Sequence, residues 1–173
     1  MHDHVSPRIA ILGAGMAGLT CAHRLHQQGL SPVIFEKSRG VGGRLATRRT
    51  DSGDAYDHGA QFVTARDPAF VDLLENLQEA GAAAAWSPRL PADAVQPTHT
   101  WWIGTSGMSA LVRPLADALD IRLRSTVSAL RRLADQWELR LAEQGHAEYF
   151  DAVVITAPAP QARALLAGRV AAG

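Results

Sequence analysis

The sequence predicts an α/β fold, a parallel sheet combined with an antiparallel meander and an interposed helical segment, and three observations predict it. An apolar run, Ile9 to Leu12, meets the glycine-spaced stretch Gly13-Ala14-Gly15-Met16-Ala17-Gly18, and a segment of helical character follows at once. Far down the chain, Val153-Val154-Ile155 is apolar on both faces, as a strand buried between layers of a parallel sheet must be. Before it, Trp137, Leu139 and Leu141 alternate with polar residues, and Asp135-Gln136 and Gln144-Gly145 supply turns on either side.

Each glycine of the first turn has its own duty. Gly13 permits a tight turn off the strand, Gly15 lets a pyrophosphate approach the backbone, and Gly18 lets helix and strand pack closely. The helix behind them carries Leu19, Ala22 and Leu25 on one face and aims free N–H groups and its positive dipole end at a phosphate. Gly29 suits a left-handed cap after Gln28, with Leu30 able to touch Leu25. A second strand, Val33 to Phe35, ends in Glu36, 18 residues beyond Gly18, where a dinucleotide site needs an acceptor for the adenosine ribose hydroxyls. By itself Glu36 would be a solvated strand end; behind a whole βαβ unit it reads as part of a Rossmann-like dinucleotide site.

A nicotinamide-binding domain would continue into another helix, but this chain runs Lys37-Ser38-Arg39-Gly40-Val41-Gly42-Gly43-Arg44-Leu45. Here it resembles the flavin-containing amine oxidase superfamily, whose members follow the ribose-binding acid with a Gly-Gly-Arg signature beside the FAD pyrophosphate. The resemblance continues at Asp57-His58-Gly59-Ala60-Gln61-Phe62, at Trp102-Ile103-Gly104 with Gly107-Met108-Ser109, and at Phe150 to Pro158. Within the superfamily the chain looks most like the bacterial renalase-like branch. The resemblance implies FAD held by Gly13, Ala14, Gly15, Met16, Ala17, Gly18, Glu36, Lys37, Gly43 and Arg44. It places Gln61 and Phe62 along the flavin and Val127 near the adenine, through backbone groups. It also implies oxidation of a small molecule with molecular oxygen as acceptor, giving peroxide, and for this branch the substrate is a dihydronicotinamide isomer. Rival readings are an amine oxidase, a carotenoid-type or porphyrinogen-type dehydrogenase, and a non-enzymatic FAD-binding redox module. Amine oxidases enclose the flavin face in an aromatic cage, and aromatics are only 6% here. No catalytic residue is singled out.

At 173 residues, 47% hydrophobic and 20% charged, the chain can bury one substantial core. Seventeen basic residues balance seventeen acidic ones, so no global field attracts nucleic acid or an anionic membrane, and neither is expected as a partner. The single cysteine, Cys21, has nothing to pair with and reads as packing, in keeping with a reducing, cytoplasmic location. No signal-peptide run opens the sequence. His2 and His4 read as a solvated tail, the other histidines lack ligand spacing, and no metal is expected. Neither a Ser-His-Asp nor a Cys-His constellation can be assembled. His58 stands in a motif region, where a structural role is the commoner one.

Arg44 through Asp54 reads as a polar loop in which Arg48 and Arg49 are solvated. Gly59 to Thr64 then returns toward the cofactor, with small residues at 59 and 60 for close backbone approach. Asp67 is a good N-cap, Pro68 suits the first helical position, Phe70, Leu74 and Leu77 share a face, and Gly81 is the stop. Pro88, Pro91 and Pro97 keep the next segment in loops, and Trp86, Trp101 and Trp102 around it either fill a core or wall a cavity, packing being the commoner role. A helix is expected from Ser106 through Met108, Leu111, Leu115 and Leu119, kinked at Pro114. Ile121, Leu123, Ser125 and Val127 alternate like a single strand with one buried face. These elements divide the chain into a FAD-binding βαβ unit with its signature loop (1–65), a substrate-side helical segment (66–120) and a return to the FAD-binding domain with the meander (121–173). The superfamily's C-terminal Gly-Asp motif and cavity-roofing sheet are not written in these residues. The chain is therefore expected to be the N-terminal part of the working enzyme, with apolar faces left exposed.

Overall fold

The computed structural model describes residues 6–91, 93, 94, 97–143 and 145–167. Expectations for His2, His4, Gln144 and the segment after residue 167 lie outside them. In chain order the elements are β1 (Ile9–Leu12), α1 (Met16–Gln27), β2 (Val33–Glu36), β3 (Thr47–Arg49), β4 (Ala55–Asp57), β5 (Val63–Thr64), α2 (Pro68–Glu79), β6 (Ala83–Trp86) and β7 (Trp101–Gly104). Then follow α3 (Arg113–Ala116), β8 (Asp120–Leu123), β9 (Val127–Arg132), β10 (Trp137–Leu141), β11 (Ala147–Phe150), β12 (Ala152–Ile155) and α4 (Ala159–Ala167). They form two compact units, residues 1–43 with 115–173, and residues 44–114.

The first unit is built on a four-stranded parallel sheet of order β12-β1-β2-β8. Alternation along β1 sends Ala10 and Leu12 to one face, where they join Phe35 and the meander residues Leu130, Leu139, Leu141 and Phe150 in a single core. Helix α1 packs against β1 and β2, with Leu19 and Ala22 fully buried. Its C-terminus closes as expected: Gly29 takes φ +79°, its N–H reaches the His26 carbonyl, and Leu30 N–H reaches Leu25, the paired bonds of a Schellman cap. The meander, order β11-β10-β9, is antiparallel throughout. An edge-to-face contact of Phe35 with Phe150, 5.7 Å between centroids, joins it to the parallel sheet.

In this unit two expectations fail. Alternation over 121–127 belongs to two strands, because Arg124 adopts φ +53° and ends β8 before β9 begins in a different sheet. Leu123, expected in the buried set, is 40% exposed. Strand β12 joins the parallel sheet as expected, but at its edge and only half-buried, so it is not enclosed between two layers.

The second unit carries the three-stranded antiparallel sheet β5-β7-β6 and the hairpin β3-β4. Helix α2 matches its prediction closely: Asp67 accepts from Phe70 N–H at 3.2 Å, Pro68 opens the helix, Leu74 and Leu77 are buried, and Gly81 at φ +72° ends it. The expected polar loop after Arg44 is instead a short 3-10 turn and the β3-β4 hairpin, paired through Thr47 and Asp57. No long helix follows Ser106. A 3-10 helix, Met108–Val112, runs into the single turn of α3, so Pro114 sits in a first turn, where its missing N–H breaks no bond, and no kink arises. Of the tryptophans, Trp102 is core at 6% exposure, while Trp86 and Trp101 pack on each other and on Phe62.

Candidate functional site

The turn that leaves β1 separates its three glycines by what surrounds them. Gly13 sits at φ +109° and donates its N–H to the Phe35 carbonyl at 2.9 Å, so both geometry and position exclude a larger residue. A β-carbon at Gly18 would collide with the Gly13 carbonyl. Gly15 differs: its φ is −85°, open to any residue, and the nearest atoms to a β-carbon there are 3.8 Å away. Among the described residues a β-carbon at 15 would make only ordinary van der Waals contact with the Gly42–Gly43 loop. Gly15 is the N-cap of α1. No side chain caps that helix and no acidic residue stands in its first turn, so among the described residues its positive end is unanswered. Within the same stretch Ala14 is fully buried, Met16 is half-buried and accepts the Thr20 hydroxyl, and Ala17 is exposed.

Glu36, at the carboxyl end of β2, is 7% exposed and points back at this turn. One carboxylate oxygen accepts the Ala14 N–H and the other the Ser38 N–H, each at 2.8 Å. Each oxygen has a second lone pair, so the carboxylate still has capacity for two hydroxyl donors. The Glu36 carbonyl accepts from Ser125 N–H, and Ser38 carbonyl from Arg124 N–H, which ties the entry to β9, and so Val127, to the same end of the sheet. Lys37 is exposed beside it. The glycine loop closes the arrangement: Gly42 N–H bonds the Ala14 carbonyl at 2.9 Å, and Gly43, at φ +55°, lies so near that a β-carbon would stand 3.3 Å from Gly15 Cα. The first unit thus brings together Gly13 to Gly18, Glu36 and Gly43, with Val127 two residues after the Ser125 whose N–H bonds the Glu36 carbonyl.

In the second unit Arg44 is exposed and its carbonyl accepts from Ala60 N–H at 2.9 Å. A β-carbon at Gly59 would strike that carbonyl, so the close backbone approach expected at Gly59 is made by Arg44 of the same unit. Gln61 is exposed, and Phe62 stacks face to face on Trp101 at 3.9 Å. Thr47, which no motif marks, and Asp57, the first residue of a motif, hold the next motif in place. The Thr47 hydroxyl donates to Asp57 at 2.6 Å and accepts from Ser109 N–H, while Asp57 accepts from Met108 N–H at 2.9 Å. Asp57 thereby caps the 3-10 helix that follows Gly107, itself at φ +100° against Thr47. His58 is exposed.

Elsewhere, on β10, Glu138 lies between two arginines. Hydrogen bonds from the Arg140 and Arg131 guanidiniums, both at 2.7 Å, hold its carboxyl below the usual carboxylate range. Among the described residues no cluster of three or more metal-ligating side chains exists, and no helix is long and apolar enough to cross a membrane.

A βαβ unit with a glycine turn, a helix N-terminus without a side-chain cap and an inward carboxylate at the second strand is the arrangement of a Rossmann-like fold. Residues 11–77 match the NAD(P)-binding Rossmann-like domain family, and residues 89–170 match the flavin containing amine oxidoreductase family. Mouse renalase is 26% identical over 165 residues, covering 89% of this chain and 48% of its own length. The 15-cis-phytoene desaturase of Synechococcus elongatus is 36% identical over 70 residues, 40% of this chain and 15% of the desaturase. Among solved structures, a candidate protoporphyrinogen oxidase from Exiguobacterium sp. 255-15 superposes with a TM-score of 0.73 at 16% identity, over 94% of this chain and 62% of that one. The two matched models and the likeness to renalase support membership of the flavin-containing amine oxidase superfamily. It spans about half the length of renalase and a smaller share of the desaturase.

Proposed function

We propose that this chain supplies the FAD-binding part of a renalase-like oxidase that converts dihydronicotinamide isomers to the oxidised nicotinamide. Overall, dihydronicotinamide, oxygen and one proton give the nicotinamide cation and hydrogen peroxide. The observation that carries the reading is Gly15, a glycine whose β-carbon the described fold would accept without a clash, beside a buried carboxylate with lone pairs to spare. Gly15 and the first N–H groups of α1 hold the pyrophosphate, Glu36 accepts the ribose hydroxyls, and Gly43 and Arg44 supply the signature loop with its cation. Met16 and Ala17 contribute backbone N–H groups, Lys37 flanks the ribose, and Val127 meets the adenine through its backbone. Gln61 and Phe62 lie along the ring system, and segment 66–120 forms the substrate side. Bound FAD would supply the two-electron acceptor that oxygen then reoxidises.

The renalase-like reading is favoured over a desaturase because the likeness to renalase runs along 89% of the chain, whereas the desaturase likeness stops at 40%. The test is a purified protein containing this chain. FAD should appear in the filtrate after denaturation, and peroxide should form with dihydronicotinamide isomers but not with amines. A protein that takes up no added FAD would overturn the cofactor assignment, and turnover of amines alone would overturn the substrate assignment.

A further inference from the structure

The glycine turn rests on a side chain from the far end of the sequence. Thr156, immediately after β12, donates its hydroxyl to the Leu12 carbonyl at 2.9 Å, with the Gly13 carbonyl 3.3 Å away. Its backbone N–H reaches the same Leu12 carbonyl at 3.0 Å. The hydroxyl fills the space beneath the turn: a β-carbon at Gly13 would stand 2.8 Å from it, and one at Gly18 3.0 Å. Two of the three glycines are therefore small on the side that Thr156 occupies, whereas Gly15 faces the Gly42–Gly43 loop, 3.8 Å from where its β-carbon would stand.

A peptide unit is planar and trans, so fixing the Gly13 carbonyl fixes the Ala14 N–H on the opposite edge of the same plane. That N–H is the one bound by Glu36. We infer that Thr156 is a positioning residue for the dinucleotide: its hydroxyl turns the Leu12 and Gly13 carbonyls toward β12, and so aims the backbone that receives the pyrophosphate and the carboxylate that receives the ribose. This rests on the assignment of FAD to the same turn. Thr156 makes no contact with the cofactor in this account; it acts through the turn alone.

The test is the binding of FAD and of ADP to the full chain carrying Thr156→Val or Thr156→Ser, with Leu74→Ala in α2 as a control that lowers stability away from the turn. Thr156→Val keeps the shape and loses the hydroxyl, and should weaken both ligands about five- to tenfold. Thr156→Ser keeps the hydroxyl and loses a methyl group, and should bind within about twofold of the parent even though its melting temperature falls. Leu74→Ala should melt earlier with unchanged affinity. Equal binding by Thr156→Val, or a serine variant as weak as the valine one, would overturn the role. A parent chain that binds neither FAD nor ADP would instead overturn the cofactor assignment on which the role depends.

Discussion

At the scale of single residues, the spacing of the turn predicts a separate duty for each of its three glycines, and the structure supplies the contacts that constrain Gly13 and Gly18. Gly18→Ala drives a β-carbon onto the Gly13 carbonyl and should destabilise the protein by about 1–3 kcal/mol or prevent folding, as overpacking does. Gly15→Ala should leave the melting temperature nearly unchanged while FAD titration shows at least a tenfold loss, on the order of 1.4 kcal/mol. A Gly15→Ala protein that binds FAD as the parent does would remove Gly15 from the account. Arg44 and Arg48 are both exposed arginines, yet only Arg44 continues the Gly42-Gly43 loop that touches the turn. Arg44→Lys should lose FAD affinity because lysine cannot present a planar fork to phosphate oxygens, and Arg48→Lys should not. Equal losses at the two positions would show that the cation comes from elsewhere. Glu36 was legible from its place at a strand end; Asp57 and Thr156 stand in motif stretches, but their roles were not legible, because their partners are set by tertiary contact.

Elements were legible where local chemistry decides them. Helix α2 has its cap, its first-turn proline and its glycine stop in sequence, and Asp67→Ala should cost about 1 kcal/mol of stability in denaturant unfolding. An unchanged midpoint would mean that the cap bond is not retained in solution. Strand β6 was not legible, since Ala83, Ala84 and Ala85 have little strand preference and extend only because β7 pairs with them. Residues 106–119 carry helical spacing, but the Asp57 and Thr47 bonds tighten their start into a 3-10 form. On the meander, Glu138 has a depressed folded-state pKa, held down by Arg140 and then Arg131. Its stabilisation is complete above the unfolded-state value, about 4.3, and is lost as pH falls through the lower folded value. Glu138→Gln should therefore melt earlier at pH 7 and show a shallower loss of stability below about pH 5. An acid limb identical to the parent's would count against the two ion pairs.

Across the whole molecule, the parallel sheet was legible in its parts and not in its order. Strands β1 and β2 are near neighbours in sequence, but β8 and β12 complete the two edges from much later in the chain. The alternation at 121–127 misled because it crosses from one sheet to another at Arg124, where a positive φ turns the backbone. Truncation after Phe150 removes β12, α4 and Thr156 together. Such a protein should lose FAD binding and unfold without a sharp transition, since β1 then forms an edge and Leu165, Val153 and Ile155 leave the shared core. Retained FAD affinity in that truncation would show that the first 150 residues close the turn unaided.

The bond from Thr156 to Leu12 spans 144 residues. During synthesis, at roughly 5–20 residues per second, the glycine turn leaves the ribosome many seconds before the residue that seats it. For that interval β1 waits with one apolar edge unpaired, and the nascent chain depends on slow, long-range closure rather than on local structure. A site that reads as local in the first forty residues is, in the order of events, finished only after residue 156 has emerged.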